Sequence, residues 1–285
     1  APRPRRFDPV GQALVLVMLA SVTYGIIEGP NLGWTSTVIL GAFAASALSL
    51  AGLIFYEPRR GEPLIDLRFF RSIPFSSSIV ILIAAFAAFG GFLFLSTLYL
   101  QEVRDLSPVH AGLVTVPMAM MLVAFSPISG RMVGRRGPRL PLLISGVCSV
   151  VACVMLTGLD EGTSYAWLIA AYVVFGIGMG FVNAPVTNAA VSGMPRAQAG
   201  VASAIATTSR QFGQTIGVAV IGAIVASGAG GTVSAELTSA SVPAWWTLSA
   251  FGGAVLVFGL IATSRRAERS AHRTATALNP EALAE

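Results

Sequence analysis

Charge is what this sequence has least of. Only 11% of its 285 residues are Asp, Glu, Lys or Arg, where a soluble domain carries about 25%. Lysine is absent, so all 18 basic residues are arginine. With 54% hydrophobic residues and a mean hydropathy of +0.76, the chain lacks the polar surface to cover itself in water. A transmembrane barrel would alternate apolar and polar positions, and these runs are apolar on every side. What remains is an all-α membrane protein. The net charge of +5 does not indicate a nucleic-acid partner, because the arginines cluster in short segments beside apolar runs.

Other scarcities exclude chemistry. The two cysteines, Cys148 and Cys153, lie in one apolar run. On a helix they point apart and cannot bring their Cα atoms into the disulfide range of within about 7 Å; they read as small buried hydrophobes. The two histidines, His110 and His272, fall in a loop and in the tail. No Cys/His cluster has metal-ligand spacing, and no cofactor is expected. No Asp pair or Ser/His pair lies inside a span to support an intramembrane enzyme. Glu28, Glu57, Glu102 and Asp105 all fall at span ends. The titratable group that a proton-coupled machine needs at mid-membrane is therefore expected elsewhere. The chain starts at Ala1, with Arg3, Arg5 and Arg6 ahead of the first apolar run and no clear signal-peptide cleavage site. It is expected to be the middle of a longer protein.

The apolar runs themselves predict eight transmembrane helices, at residues 11–27, 37–56, 75–100, 109–128, 140–159, 165–191, 200–227 and 244–263. Each is close to the roughly 20 residues that cross about 30 Å of hydrocarbon. The arginines test that count. With a cytoplasmic amino terminus, inside segments hold sixteen arginines and outside loops only Arg104, while Arg210 lies within a span. Such a bias sets orientation and puts both ends of the chain in the cytoplasm.

Between the spans, residues 130–139 form the densest basic stretch, with Gly130, Arg131, Gly134, Arg135, Arg136, Gly137 and Arg139. It is expected to be a tight turn, with glycine supplying backbone freedom. Residues 28–36 read as a short Gly/Pro/Asn turn. Residues 57–72 mix Arg59, Arg60, Arg68 and Arg71 with Leu64, Ile65, Leu67, Phe69 and Phe70, which suits a short interfacial helix. Residues 228–242 are small and polar and read as a flexible loop; the tail from Arg265 is expected to be poorly ordered.

Polar residues inside spans are the candidate site. Arg210 lies about ten residues into the seventh span, near mid-membrane at about 1.5 Å per residue. An arginine there costs at least about 2.5–3.5 kcal/mol unless it meets protein or water. Ser203, Thr207, Arg210 and Gln214 share one helical face, a polar stripe expected to face other helices or a wet cavity. The alternative is an arginine that snorkels to the surface or holds two helices together. In the sixth span Asn183 and Thr187 share a face with Gly180, and Asn188 lies beside them. Their amides and hydroxyls can meet a substrate or join helices. Gly176 with Gly180, and Gly213 with Gly217, have the spacing that lets helices approach closely. Pro117 and Pro185 each remove a backbone donor inside a span, so kinks are expected. Phe86, Phe89, Phe92 and Phe94 in the third span are expected to face lipid rather than substrate.

The stretch at Gly130, Arg135, Gly137 and Arg139 resembles the cytoplasmic loop signature of the major facilitator superfamily, with Gly134 standing where that family usually has Asp. In the family this loop joins the second and third helices of a six-helix half. Counted from the third span, it does so here. The resemblance extends to the fourteen-helix drug:proton antiporters, in which two added helices join the halves. It is carried by Phe7-Asp8-Pro9-Val10-Gly11, Leu64-Ile65-Asp66-Leu67 with Phe70-Arg71, Tyr99-Leu100-Gln101 with Ser107-Pro108 and Ala111-Gly112, and Ser209-Arg210-Gln211 with Gly213. It implies two linker helices and an interfacial loop at 1–72, a six-helix carboxy-terminal half at 73–263 and a cytoplasmic tail at 264–285. It also implies a plasma-membrane permease that exchanges protons for drugs or other small apolar or cationic compounds. Its partners are then the small-molecule substrate, protons, the bilayer and an amino-terminal half absent from this sequence. Residues 130–139 would act as a cytoplasmic latch, and Arg210, Asn183 and Gln214 would line the cavity. A metabolite or sugar exporter, or a non-transporting membrane scaffold, is the alternative.

Overall fold

Helices account for almost everything in a computed structural model of the chain, which describes residues 8–59, 67–191, 199–228 and 235–278; no strand occurs among them. The helices are α1 (Pro9–Leu32), α2 (Thr37–Tyr56), α3 (Ile73–Leu98), α4 (Pro108–Arg136), α5 (Arg139–Met155), α6 (Tyr165–Val191), α7 (Ala199–Gly228), α8 (Ala235–Ala262) and α9 (Arg265–Leu278). They divide into two units, residues Ala1–Arg71 and Ser72–Glu285.

Among the described residues, six stretches are long and apolar enough to cross a bilayer: α1, α2 running on to Arg59, α3 running on to Val103, α4, α6 as far as Ala189, and Thr238–Ala262 of α8. The other two expected spans differ for identifiable reasons. α5 is a shorter apolar helix of 17 residues. α7 has 30 residues, but Arg210, Gln211 and Gln214 fall inside it.

In the first unit the chain doubles back once. Asp8 starts α1, its carboxylate accepting the N–H of Gly11 at 3.0 Å, with Pro9 as the first helical residue. Ser36 starts α2 in the same way, accepting from the Ile39 N–H at 3.4 Å. The Ser46 hydroxyl donates to the Met18 carbonyl at 3.0 Å, and the Tyr56 hydroxyl to Asp8 at 3.3 Å, so the hairpin is tied at its middle and at its open end. The turn expected at 28–36 is shorter than the composition suggested. α1 continues through Pro30 to Leu32 and stops at Gly33, whose φ of 84° is a glycine conformation.

The second unit is built around α3. Phe92 of α3 stacks on Phe175 of α6, ring centroids 3.8 Å apart, and meets Tyr172 and Trp245 edge-on at 5.5 and 5.6 Å. Phe92 is fully buried, which overturns its expected lipid-facing position. The reason is its neighbours: Gly90 and Gly91 on the same helix leave no bulk, so α7 and α8 close over this face. A Cβ on Gly217 would stand 2.1 Å from the Ala87 carbonyl, and one on Gly213 2.5 Å from that of Ile83. Backbone thus meets backbone along α3 and α7, the contact small residues permit in lipid. Gly176 does the same for α6 against α4, where a Cβ would stand 2.3 Å from the Met118 carbonyl.

The two ends of this unit are fastened differently. At one end α3 runs on into a π turn, Tyr99–Val103. The Tyr99 hydroxyl donates to the Asp160 carbonyl at 2.7 Å, and Arg104 donates to the Thr163 carbonyl and to the Tyr99 oxygen. The guanidinium also lies 4.5 Å from the centre of the Tyr165 ring. This clasp ties α3 to the α5–α6 connection. At the other end lies the basic stretch. It is not a ten-residue turn: Gly130, Arg131, Gly134, Arg135 and Arg136 are the last two turns of α4, and only Gly137, with φ of 77°, and Pro138 break the chain before α5. A helical glycine costs only about 1 kcal/mol, too little to end a helix already propagating.

Two further expectations change. Within 57–72 the described residues include two short 3-10 turns, Glu57–Arg59 and Leu67–Arg71, while Arg60, Leu64, Ile65 and Asp66 of the expected interfacial helix lie outside the described residues. α8 begins at Ala235, inside the expected loop, and carries Pro243 within it. The tail holds a 14-residue helix, α9, rather than a disordered end. Arg3, Arg5, Arg6, Phe7 and Arg196 also lie outside the described residues.

Candidate functional site

α4 and α6 set the site. Below Gly176 and Gly180 the two helices touch: a Cβ on Gly180 would lie 2.9 Å from Phe125 Cβ. Pro185 then interrupts α6, leaving the Phe181 carbonyl without its helical donor four residues on. The Ser129 hydroxyl of α4 donates to that carbonyl at 3.1 Å, fully buried. One turn earlier on α4, Ser126 bonds back to the Leu122 carbonyl at 2.9 Å. An open groove of about 570 Å³ lies here, lined by Ser126, Asn183, Ala184, Thr187 and Asn188.

Arg210 of α7 borders this groove. Its Nη2 donates to the Thr187 hydroxyl oxygen at 3.1 Å, and its guanidinium carbon stands 5.9 Å from the centre of the Phe86 ring on α3. That distance is within cation–π range. Its Nε–H is buried and makes no hydrogen bond to the described residues. Arg210 lies eleven residues past the start of α7, at about 17 Å along a helix about 45 Å long. Its Cα is therefore about 6 Å from the middle of the helix and about 17 Å from its amino-terminal end, toward which an arginine side chain on a helix leans.

The expected site residues separate into three groups. Arg210, Thr187 and Asn183 come together, with Asn188 beside them. Ser203 and Thr207 occupy an exposed face of α7, where the Thr207 hydroxyl donates to the Ser203 carbonyl at 3.0 Å. Gln214 sits at the crossing with α3; a Cβ on Gly90 would stand 2.9 Å from its Cγ. The basic stretch is a separate place: Arg131, Arg135, Arg136 and Arg139 are exposed around the α4–α5 turn, with Gly137 half-buried. Arginines at a helix carboxy terminus suit its partial negative charge.

Sequence reasoning missed Ser126 and Ser129, and it expected Phe86 to face lipid rather than to lie beside Arg210. The signal for Ser129 was available, since an internal proline frees a carbonyl. It placed Glu57 at the end of a span and gave Asp8 no role beyond the entry to the first. Both are buried in the first unit, Asp8 Oδ2 and Glu57 Oε1 each lying close to the position a Cβ on Gly11 would occupy, at 2.8 and 3.0 Å. Among the described residues, no group of three or more His, Cys, Asp or Glu is placed to hold a metal ion.

Comparison with known proteins gives a consistent result. The family profile described as Major Facilitator Superfamily matches residues 9–218. "Multidrug resistance protein Stp" of Mycobacterium tuberculosis is 34% identical over 238 residues, covering 84% of this chain and 44% of that protein. "Tetracenomycin C resistance and export protein" of Streptomyces glaucescens is 32% identical, covering 84% of this chain and 45% of that protein. "Drug efflux pump JefA" of Mycobacterium tuberculosis is 30% identical, covering 79% and 44%. The chain spans less than half the length of these relatives.

Proposed function

Because this chain belongs to the Major Facilitator Superfamily, we propose that it is part of a proton-coupled exporter of drugs or other small apolar or cationic compounds in the plasma membrane. The family indicates a multi-pass transporter rather than an enzyme. In this reading α1 and α2, with the loop through residue 72, are linker helices; residues 73–263 are the carboxy-terminal half; and 264–285 is a cytoplasmic tail. All of α1–α8 then cross the bilayer. α5 and α7 are then spans as well, despite the shortness of the one and the polarity of the other. The arginine bias supports cytoplasmic termini. An amino-terminal half, with the protonation site, completes the machine, and the two halves rock around a central path.

One observation carries the reading: Arg210 reaches from α7 to Thr187, which lines an open groove with Asn183. A charge held at that depth faces water, protein or a passing solute rather than lipid. Arg210, Thr187 and Asn183 form the path, with Ser203, Thr207 and Gln214 along the same helix. The stretch from Gly130 to Arg139 is the cytoplasmic latch. A second reading, export of a metabolite or sugar, rests on the amides of Asn183 and Asn188 and the hydroxyls of Ser126 and Thr187 that border this otherwise apolar groove.

The test uses the full-length protein. Arg210→Ala abolishes resistance and efflux while the protein still reaches the membrane; unchanged efflux removes Arg210 from the mechanism. Inverted vesicles then separate a transporter from a scaffold, which shows no substrate-dependent proton movement.

A further inference from the structure

α9 takes no part in the groove, yet its residues are sorted with care. Only Thr263 and Ser264 separate it from the end of α8 at Ala262. Ser264 opens it: the Ser264 hydroxyl oxygen accepts the Ala267 N–H at 3.3 Å, and its carbonyl accepts the Glu268 N–H at 3.2 Å. At about 100° per residue, Arg265, Arg266, Arg269 and Arg273 fall within one arc of about 100°. All four are exposed. The other side is small and covered, with Ala267 and Thr274 buried.

Ser270 fixes the rotation of the helix. Its hydroxyl oxygen accepts the Ile73 N–H of α3 at 3.0 Å. That is the cap α3 lacks locally, since the Ser72 side chain makes no capping bond. With Ala267, Ser270 and Thr274 turned to the protein, the arginine arc cannot turn inward.

Helix stability does not account for the arc. Arg265 and Arg266 stand in the first turn, where the helix dipole disfavours cations. Glu268 is the one acid among the fourteen residues of α9. The first arginine follows the last residue of an apolar stretch, Thr238–Ala262, by three positions, which places it in the headgroup layer. Arginine binds phosphate through paired N–H groups, and four such cations directly beside a span match an anionic lipid surface.

We propose that α9 is a docking element for acidic phospholipids: the four arginines engage lipid phosphates while the opposite face caps and holds the first turn of α3. The measurement is amide hydrogen exchange across α9 in the chain reconstituted into vesicles. One set is pure phosphatidylcholine and the other contains about 30% phosphatidylglycerol, enough to set up a negative surface potential. Exchange in α9 slows at least about tenfold in the anionic vesicles. The difference disappears in about 0.5 M NaCl, where the field is screened. It also disappears in the combined variant Arg265→Gln, Arg266→Gln, Arg269→Gln, Arg273→Gln, which keeps helix propensity. Ser270→Ala keeps the lipid dependence while the Ile73 amide exchanges faster. Equal exchange in the two vesicle sets overturns the proposal, as does a lipid dependence that survives the four-fold variant. So does its loss in Ser270→Ala, which would assign the effect to packing on α3.

Discussion

The Ser129 hydroxyl donates to the Phe181 carbonyl at 3.1 Å, the acceptor that Pro185 leaves without its helical donor. A proline in α6 is thus answered by a serine in α4, and the exchange holds the two helices together beside the groove. Ser129→Ala leaves that buried carbonyl without a donor, at a cost of about 1–3 kcal/mol. A lower melting temperature in detergent checks it. Pro185→Ala restores the N–H, so the serine matters less in that background. A double-mutant cycle reads the coupling, and plain additivity would contradict it.

The seam between α3 and α7 gives a second expectation. A Cβ at Gly217 would meet the Ala87 carbonyl at 2.1 Å, whereas at Gly253 it meets nothing within 4 Å. Gly217→Ala forces the helices apart and costs about 1–3 kcal/mol by overpacking. Gly253→Ala is neutral or slightly stabilising, by up to about 1 kcal/mol. Thermal unfolding of the two variants side by side makes the comparison; equal effects would mean that the seam is loose.

Charge and geometry at Arg210 can be separated. Arg210→Lys keeps the cation but loses the planar fork that reaches Thr187 while lying near Phe86. In the full-length protein it retains part of the efflux that Arg210→Ala loses. Thr187→Val removes the acceptor alone and weakens efflux less than the loss of the charge. Efflux rates at matched expression rank the three. Arg210→Lys behaving like Arg210→Ala would show that placement, not charge, is what counts.

Removing a cap from a distant helix should be felt at α3. Ser270→Ala withdraws the acceptor for the Ile73 N–H and costs about 0.5–2 kcal/mol, the range for capping residues. Faster exchange confined to the first turn of α3 and to α9 is the expected signature. An effect spread over the whole unit would mean that α9 does more than cap.

Much of this was legible in the sequence because span length and span polarity are strong signals. α6 runs from Tyr165 to Val191 as expected, and α7 differs by one residue at each end. Helical spacing puts Asn183 and Thr187 on one face of α6, but it does not say that Arg210 of α7 meets Thr187. What stayed hidden depends on partners distant in the chain. Phe92 looks like any lipid-facing aromatic until Phe175, Tyr172 and Trp245 are placed around it. Gly130 and Gly134 look like turn residues, because glycine content alone does not say whether a helix has already begun. α9 reads as a polar tail, since small residues and arginines show a pattern only once Ser270 has been seen to face α3.

The clasp made by Tyr99, Arg104, Asp160, Thr163 and Tyr165 has a mechanical consequence. α3 and α6 cannot slide past each other at that end without giving up several bonds together. Any tilting of these helices therefore pivots there, and displacement grows with distance along their axes. It is largest beyond Asn183 and Thr187, where α6 approaches Arg210: the anchored end serves as fulcrum, and the groove lies toward the far end of the lever.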